Sequence, residues 1–105
     1  MTDRPQARLA VAAGPDGRLE VRLGGELDIA SLPDVQADLD ALLDREPQPL
    51  LIDLEALEFL DSSGVAVLVR IANRFAPVET RNAAPPVRRV LEALGLADRF
   101  GLDGS

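Results

Sequence analysis

The amino-acid sequence predicts a single α/β domain over residues 1–105, with a mixed β-sheet of four to five strands and three main helices packed against it. Strand-like alternation and helix-like spacing of apolar residues succeed one another along the chain. Residues 50–54 form an almost continuous apolar run, which is typical of a central strand. Aromatic residues make up only 3% of the chain, so Leu, Val, Ile and Ala must build the core.

The first expected elements are two strands joined as a β-hairpin. Residues 9–13 form a short apolar stretch, and Gly14-Pro15-Asp16-Gly17 after it is a strong turn signal. Residues 19–23 then alternate between apolar and charged side chains, as a half-buried strand does. Gly24-Gly25 then breaks this alternation, and Glu26-Leu27-Asp28-Ile29 is expected to lead the chain into a loop.

The next elements expected are an amphipathic helix and the central strand. From Pro33 to Arg45, apolar residues recur at three- and four-residue steps while Asp residues occupy the opposite face. Ser31 could cap this helix, since serine is a favoured N-cap residue. The apolar run Leu50–Leu54 follows two prolines and predicts a strand that is covered on both faces.

The second half of the chain predicts two more helices and one weak strand. Residues 65–75 are apolar around most of a helical circumference, which indicates a largely buried helix. Residues 77–84 should supply a strand but contain few apolar side chains. Pro85-Pro86 opens the last helix, and Gly95 is a residue typical of C-caps. The apolar face of that helix comprises Val87, Val90, Leu91 and Leu94, and the tail residues expected to pack are Leu96, Phe100 and Leu102.

The composition argues against an enzyme. The chain contains neither Cys nor His, so it lacks the usual zinc, haem and iron–sulfur ligands, a thiol nucleophile and an imidazole base. An active site built on Asp53, Asp61, Ser62 and Ser63 would have no suitable base beside it. We therefore expect a non-enzymatic protein with no metal and no cofactor.

Charge and hydropathy argue against two classes of partner. The formal net charge is -7, and the arginines are scattered, whereas nucleic-acid binding needs clustered basic residues. The adjacent pair Arg88-Arg89 is expected on a solvated helix face. Residues 1–9 are polar, and no apolar run approaches the ~20 residues of a membrane span. These observations predict a cytoplasmic protein without membrane insertion or direct contact with nucleic acid.

The turn Asp61-Ser62-Ser63-Gly64 is the sequence feature with the clearest chemistry. It lies between a strand-like segment and the buried helix, so its hydroxyls should sit beside the unpaired N–H groups of the first helical turn. Such groups and the helix dipole stabilise anions, including a phosphate added to serine. Gly64 is expected to leave room for the backbone of another protein, as a kinase requires.

A simpler explanation of this turn is a helix cap. Asp61, Ser62 and Ser63 are all good N-cap residues, and Ser-Ser-Gly is an ordinary start of a helix. The four residues alone do not separate a phosphate acceptor from a cap, since short motifs often match by chance.

Four segments in order resemble the STAS family of anti-sigma factor antagonists. They are Gly25-Glu26-Leu27-Asp28, the apolar strand Leu50–Leu54, the stretch Leu57–Val65, and Val87–Leu96. The part of this resemblance most specific to the family runs from Phe59 to Val65. It implies a STAS fold for the whole chain and a regulatory protein.

The resemblance also implies site residues and partners. Bacterial anti-sigma factor antagonists carry a phosphorylated serine in this stretch, and by resemblance the acceptor is Ser63. Asp28 would lie near it, and the partner-binding surface would comprise Asp28, Asp61, Ser62, Gly64 and Val65. The implied partners are an anti-sigma factor that is a serine kinase of the histidine-kinase-like ATPase fold and a serine phosphatase. Unphosphorylated protein would bind the kinase and release a sigma factor, and phosphorylation would end that binding.

The resemblance also permits a second function, and the sequence departs from the family pattern in one segment. STAS subunits that regulate a membrane transporter or an ABC lipid-transport ATPase share the fold without needing a phosphorylatable serine. The Ser62-Ser63 pair favours the sigma-factor pathway over this alternative. Residues 76–82 are shorter than the family pattern and lack its glycine turn and apolar strand, which puts the fourth strand in doubt.

Overall fold

A computed structural model describes residues 6–102 of the chain. Its elements are β1 Arg8–Ala13, β2 Leu19–Leu27, α1 Leu32–Leu43, β3 Leu50–Leu60, α2 Ser62–Arg74, β4 Val78–Arg81 and α3 Pro85–Ala93. The four strands lie in the order β1-β2-β3-β4. β1 runs antiparallel to β2, whereas β2, β3 and β4 are parallel. The predicted α/β class, with a mixed sheet and three main helices, is confirmed.

Strand β2 continues past the glycine pair that breaks its alternation. Its pairing with β3 continues through Gly24 and Gly25 to the terminal pair Leu27 and Leu60, with a register shift before Gly24 and another after Gly25. Gly25 has φ +82, and a Cβ there would come 2.1 Å from the carbonyl oxygen of Gln6. The glycines therefore create bulges within the strand instead of ending it.

Strand β3 is also longer than the predicted Leu50–Leu54. It continues to Leu60, and its buried residues beyond Ile52 are Leu54, Leu57 and Leu60. This three-residue spacing results from the register shifts, which change the side-chain alternation of an ideal strand. β2 and β3 consequently end side by side, and the loops that follow them start from the same edge of the sheet.

The hydrophobic core lies on one face of the sheet. Buried residues of all three helices join inward-facing strand residues, such as Val21 and Ile52, in one cluster. The opposite face carries charged side chains. Leu50, Leu51 and Ile52 are nevertheless all buried, so the central strand is covered on both faces at these residues, as predicted. Leu51 points to that charged face and is nevertheless 3% exposed, with Glu20 and Glu79 as its neighbours in register.

The doubtful segment after α2 does form a strand. β4 spans four residues and pairs in parallel with Leu50–Asp53. The tail packs beside it, since Phe100 is buried and Leu102 bridges to Thr80. Leu94 lies beyond the last residue of α3 and is 57% exposed, so its predicted place on the core face was wrong. No helix among residues 6–102 is long and apolar enough to cross a bilayer.

An ion-pair network on the charged face makes stability depend on pH. Glu79 accepts hydrogen bonds from Arg18 at 2.8 Å and from Arg81 at 3.0 Å, and these bonds, led by that of Arg18, lower the pKa of Glu79. The ionised Glu79 carboxylate therefore stabilises the folded state. This stabilisation is fully present above the unfolded-state pKa of Glu79 and is lost as pH falls through its folded-state pKa.

Glu79→Gln is therefore expected to reduce the unfolding free energy at about pH 7 and to have less effect at about pH 3. Urea unfolding of parent and variant at both pH values measures the difference. Glu58→Gln, at an exposed position of β3, is the matched control and should retain the parent's acid dependence. An equal cost of Glu79→Gln at both pH values would contradict the role of this carboxylate.

Candidate functional site

The start of helix α2 is capped by Asp61. This residue is in an extended conformation, and its Oδ1 accepts from the backbone N–H groups of Ser63 at 2.8 Å and Gly64 at 3.1 Å. Of the three possible cap residues, Asp61 takes this role, through its carboxylate. Ser62 and Ser63 lie in the first turn of the helix, where Ser62 is exposed and Ser63 is partly exposed.

The same carboxylate connects α2 to the loop between β2 and α1, residues 28–31. Its Oδ2 accepts from the backbone N–H of Ile29 at 3.3 Å, and the backbone N–H of Asp61 donates to the carbonyl of Leu27 at 3.3 Å. Asp28 and Asp61 follow Leu27 and Leu60, which pair at the ends of β2 and β3. The structure thus brings the loop of Asp28 against the serine turn.

Ser31 holds the β2–α1 loop together. Its hydroxyl donates to the carbonyl of Glu26 at 2.6 Å and accepts from the N–H of Asp28 at 3.0 Å. Its own N–H donates to Oδ1 of Asp28 at 3.0 Å, and the residue is 3% exposed. Although Ser31 occupies the N-cap position of α1, its side chain makes no cap hydrogen bond. The predicted capping role was wrong because these loop contacts use the hydroxyl.

Gly64 is required by packing inside the chain. A Cβ there would lie 2.2 Å from the carbonyl oxygen of Leu27 and 2.9 Å from Cβ of Leu60. The expectation that Gly64 leaves space for another protein was therefore wrong, since the space is filled by this chain. Gly64 and Val65 are both buried. Of the predicted binding residues, only Asp28, Asp61 and Ser62 reach the surface. The predicted acceptor Ser63 also reaches it.

Two large apolar side chains flank the turn at the surface. Ile29 is 74% exposed, and Phe59 is 50% exposed. Phe59 also lines a groove of about 110 Å³ whose other lining residues are Leu60, Pro86, Val87 and Val90. The sequence interpretation did not single out Ile29. The sequence feature that could have indicated its exposure is its position. Ile29 lies outside the helical spacing of α1 and directly after the acidic segment Glu26–Asp28.

The charged groups that define the site are carboxylates. Asp61 contacts the first turn of α2, and Asp28 belongs to the adjoining loop. A phosphate on Ser63 would gain from the helix N-terminus but would also lie near the Asp61 carboxylate. The arrangement can therefore respond strongly to added negative charge.

Comparison with protein families gives a match over nearly the whole chain. The family model described as Mlab, STAS domain, matches residues 10–102. This range contains all three helices, the serine turn and most of the sheet.

Known proteins similar to this chain include anti-sigma factor antagonists. The anti-sigma F factor antagonist of Paenibacillus polymyxa is 34% identical over 85 residues, covering 76% of this chain and 73% of that protein. A solved anti-sigma factor antagonist from Mycobacterium paratuberculosis has a TM-score of 0.77 at 27% identity, covering 100% of this chain and 92% of the other. The solved structure of unphosphorylated SpoIIAA has a TM-score of 0.62 at 23% identity, covering 93% of this chain and 89% of the other. This second structure shows a similarity of fold alone.

Proposed function

The chain belongs to the STAS domain family, and we propose on this premise that it is an anti-sigma factor antagonist that acts in the cytoplasm as a phosphorylation-controlled partner switch. In its unphosphorylated form it binds an anti-sigma factor, a serine kinase of the histidine-kinase-like ATPase fold, and a sigma factor is released. Phosphorylation at Ser63 ends this binding. A serine phosphatase restores the active form.

The observation that carries the proposal is the division of roles in the serine turn. Asp61 caps α2 with its carboxylate, so the cap does not depend on either serine hydroxyl. Ser63 lies in the first turn, is partly exposed and follows the exposed Ser62. Anti-sigma factor antagonists that are 34% and 27% identical to this chain support the same function.

The covalent step belongs to the partner's chemistry and needs only a hydroxyl from this chain. The γ-phosphoryl group of ATP moves to Oγ of Ser63 as the bond to ADP breaks, and the hydroxyl proton passes to a base of the kinase. The product carries about -1.5 to -2 charges at neutral pH. Added beside the Asp61 carboxylate, that charge opposes any acidic or desolvated group across the interface.

Phosphate transfer to Ser63 is the expected result when the protein is mixed with its anti-sigma factor and ATP. Candidate kinases are incubated with the full chain, and mass spectrometry maps the modified residue. Ser63→Ala should abolish phosphorylation, whereas the matched variant Ser62→Ala should leave it intact. Phosphate on Ser62 alone, or none with any candidate kinase, would contradict the proposal.

A second candidate function is a STAS regulatory subunit of a membrane transporter or ABC lipid-transport ATPase. It is supported by the match to a STAS domain model, because such subunits share this domain. Affinity purification of the full chain from its host separates the two functions. Recovery of an anti-sigma factor kinase supports the antagonist, and recovery of a permease or transport ATPase supports the subunit.

A further inference from the structure

We infer that the Asp61 carboxylate is a positioning group that couples the charge state of residue 63 to the β2–α1 loop and its exposed Ile29. The inference rests on the proposed function, because it assigns a route by which modification of the serine turn changes a second part of the binding surface. It concerns Asp61 as a shared acceptor, distinct from its general role as a helix cap.

The coupling follows from how the two carboxylate oxygens are used. Oδ1 accepts from Ser63 at 2.8 Å and from Gly64 at 3.1 Å, whereas Oδ2 accepts from Ile29 at 3.3 Å. Both oxygens belong to one planar group, so a rotation that disturbs the first set of hydrogen bonds also disturbs the second. The start of α2 and the loop therefore depend on a single side chain.

Hydrogen bonds hold the β2–α1 loop together and tie it to the end of β2. Within the loop, the Ser31 hydroxyl accepts from the N–H of Asp28, and Oδ1 of Asp28 accepts from the N–H of Ser31. The Ser31 hydroxyl also donates to the carbonyl of Glu26 in β2. At its base, the carbonyl of Leu27 accepts from the backbone of Asp61. Loss of the contact between Ile29 and Asp61 would leave the loop held at this base and by its internal bonds. The position of the Ile29 side chain, which is 74% exposed, would then change.

Negative charge at residue 63 supplies the disturbance. An anionic group on this side chain repels the carboxylate of Asp61 and competes with it for the N–H groups of Ser63 and Gly64. As Asp61 withdraws, the amide of Ile29 loses its acceptor. Phosphorylation would thus act twice, by adding charge at Ser63 and by releasing an apolar side chain from its position.

The test uses the full chain without a partner. In Ser63→Asp, NMR should show an upfield shift of the Ile29 amide proton and amide exchange faster by about 2- to 10-fold, the factor for losing one hydrogen bond. Ser63→Asn, which is similar in size but neutral, should leave both quantities near the parent values. An unchanged Ile29 amide in Ser63→Asp would overturn the inference.

Asp61→Asn separates the loop contact from the cap. Asparagine caps helices as well as aspartate, but it has only one acceptor oxygen. Asp61→Asn should therefore keep the fold and alter the Ile29 amide as Ser63→Asp does, and the double variant should show no further change. If Asp61→Asn fails to fold, Asp61→Ser replaces it in the test. Serine also caps helices, but its side chain is too short to reach both the start of α2 and the amide of Ile29. Additive effects in the double variant would contradict the coupling.

The outcomes of this test are distinct from those of the proposed function. No kinase is required, so a failed phosphorylation assay would leave the behaviour of Ile29 unaffected. Conversely, phosphorylation of Ser63 without any change at Ile29 would support the proposed function and reject the coupling.

Discussion

Replacing Gly64 with alanine is expected to destabilise the domain by roughly 2 kcal/mol. The added Cβ would fall 2.2 Å from the carbonyl oxygen of Leu27, a backbone atom that cannot rotate away. Overpacking costs up to about 3 kcal/mol, and alanine recovers about 1 kcal/mol of helix propensity relative to glycine. The clash should therefore prevail, lowering Tm by roughly 8–16 °C. Thermal and urea unfolding measure both quantities.

Gly24→Ala is the matched control. Its Cβ would meet the guanidinium of Arg8 at 2.7 Å and Cβ of Ala56 at 3.1 Å. Because the nearest atom is the end of a flexible side chain, Arg8 can move aside, and the expected cost is below about 1 kcal/mol. If Gly64→Ala were as stable as the parent, the contact between β2 and α2 would not be tight enough to require glycine.

The fold was largely predictable because most of its elements carry local patterns. The turn at Gly14–Gly17 predicts the hairpin, and the apolar spacing in residues 65–75 predicts α2. The ends of β2 and β3 were not predictable in this way. Gly24-Gly25 looks like a strand end, and the three-residue spacing Leu54-Leu57-Leu60 does not alternate. Only pairing between the strands reveals that both features belong to bulged strands.

The site was predictable in identity but not in the use of its residues. Sequence alone supplied three equivalent cap residues, and ranking Asp61 above Ser62 and Ser63 required the distances at the start of α2. The exposure of Ile29 depends on a loop held by long-range contacts, which leave no periodic pattern in the sequence. The sequence suggested that Gly64 gives another protein access to the turn. The structure shows instead that a side chain at residue 64 would clash with the carbonyl of Leu27, which is far away in the chain.

The shared edge of β2 and β3 explains why one turn can control a wider surface. Leu27 and Leu60 pair at that edge, so Asp28 and Asp61 begin their loops side by side. Ile29 and Phe59 then present apolar surface around the serine turn. A partner that covered the turn would meet acidic, hydroxyl and apolar groups together, which is the composition of an interface sensitive to added charge.

Ser63→Asp is expected to weaken binding to the anti-sigma factor at least about tenfold, which corresponds to ~1.4 kcal/mol. A carboxylate at residue 63 adds one charge beside Asp61, and like charges brought together at an interface can cost several kcal/mol. Ser63→Ala should bind like the parent because it adds neither charge nor bulk. Isothermal titration calorimetry with the purified anti-sigma factor measures the dissociation constants.

The charge at residue 63 can be separated from the size of the side chain by comparing Ser63→Asp with Ser63→Asn. If repulsion causes release, Ser63→Asn should bind nearly as well as the parent, and added salt should partly restore binding of Ser63→Asp. Equal weakening by both variants would instead indicate a steric cause. If Ser63→Asp bound as tightly as the parent, release by electrostatic repulsion would be the wrong mechanism, even with Ser63 as the phosphate acceptor.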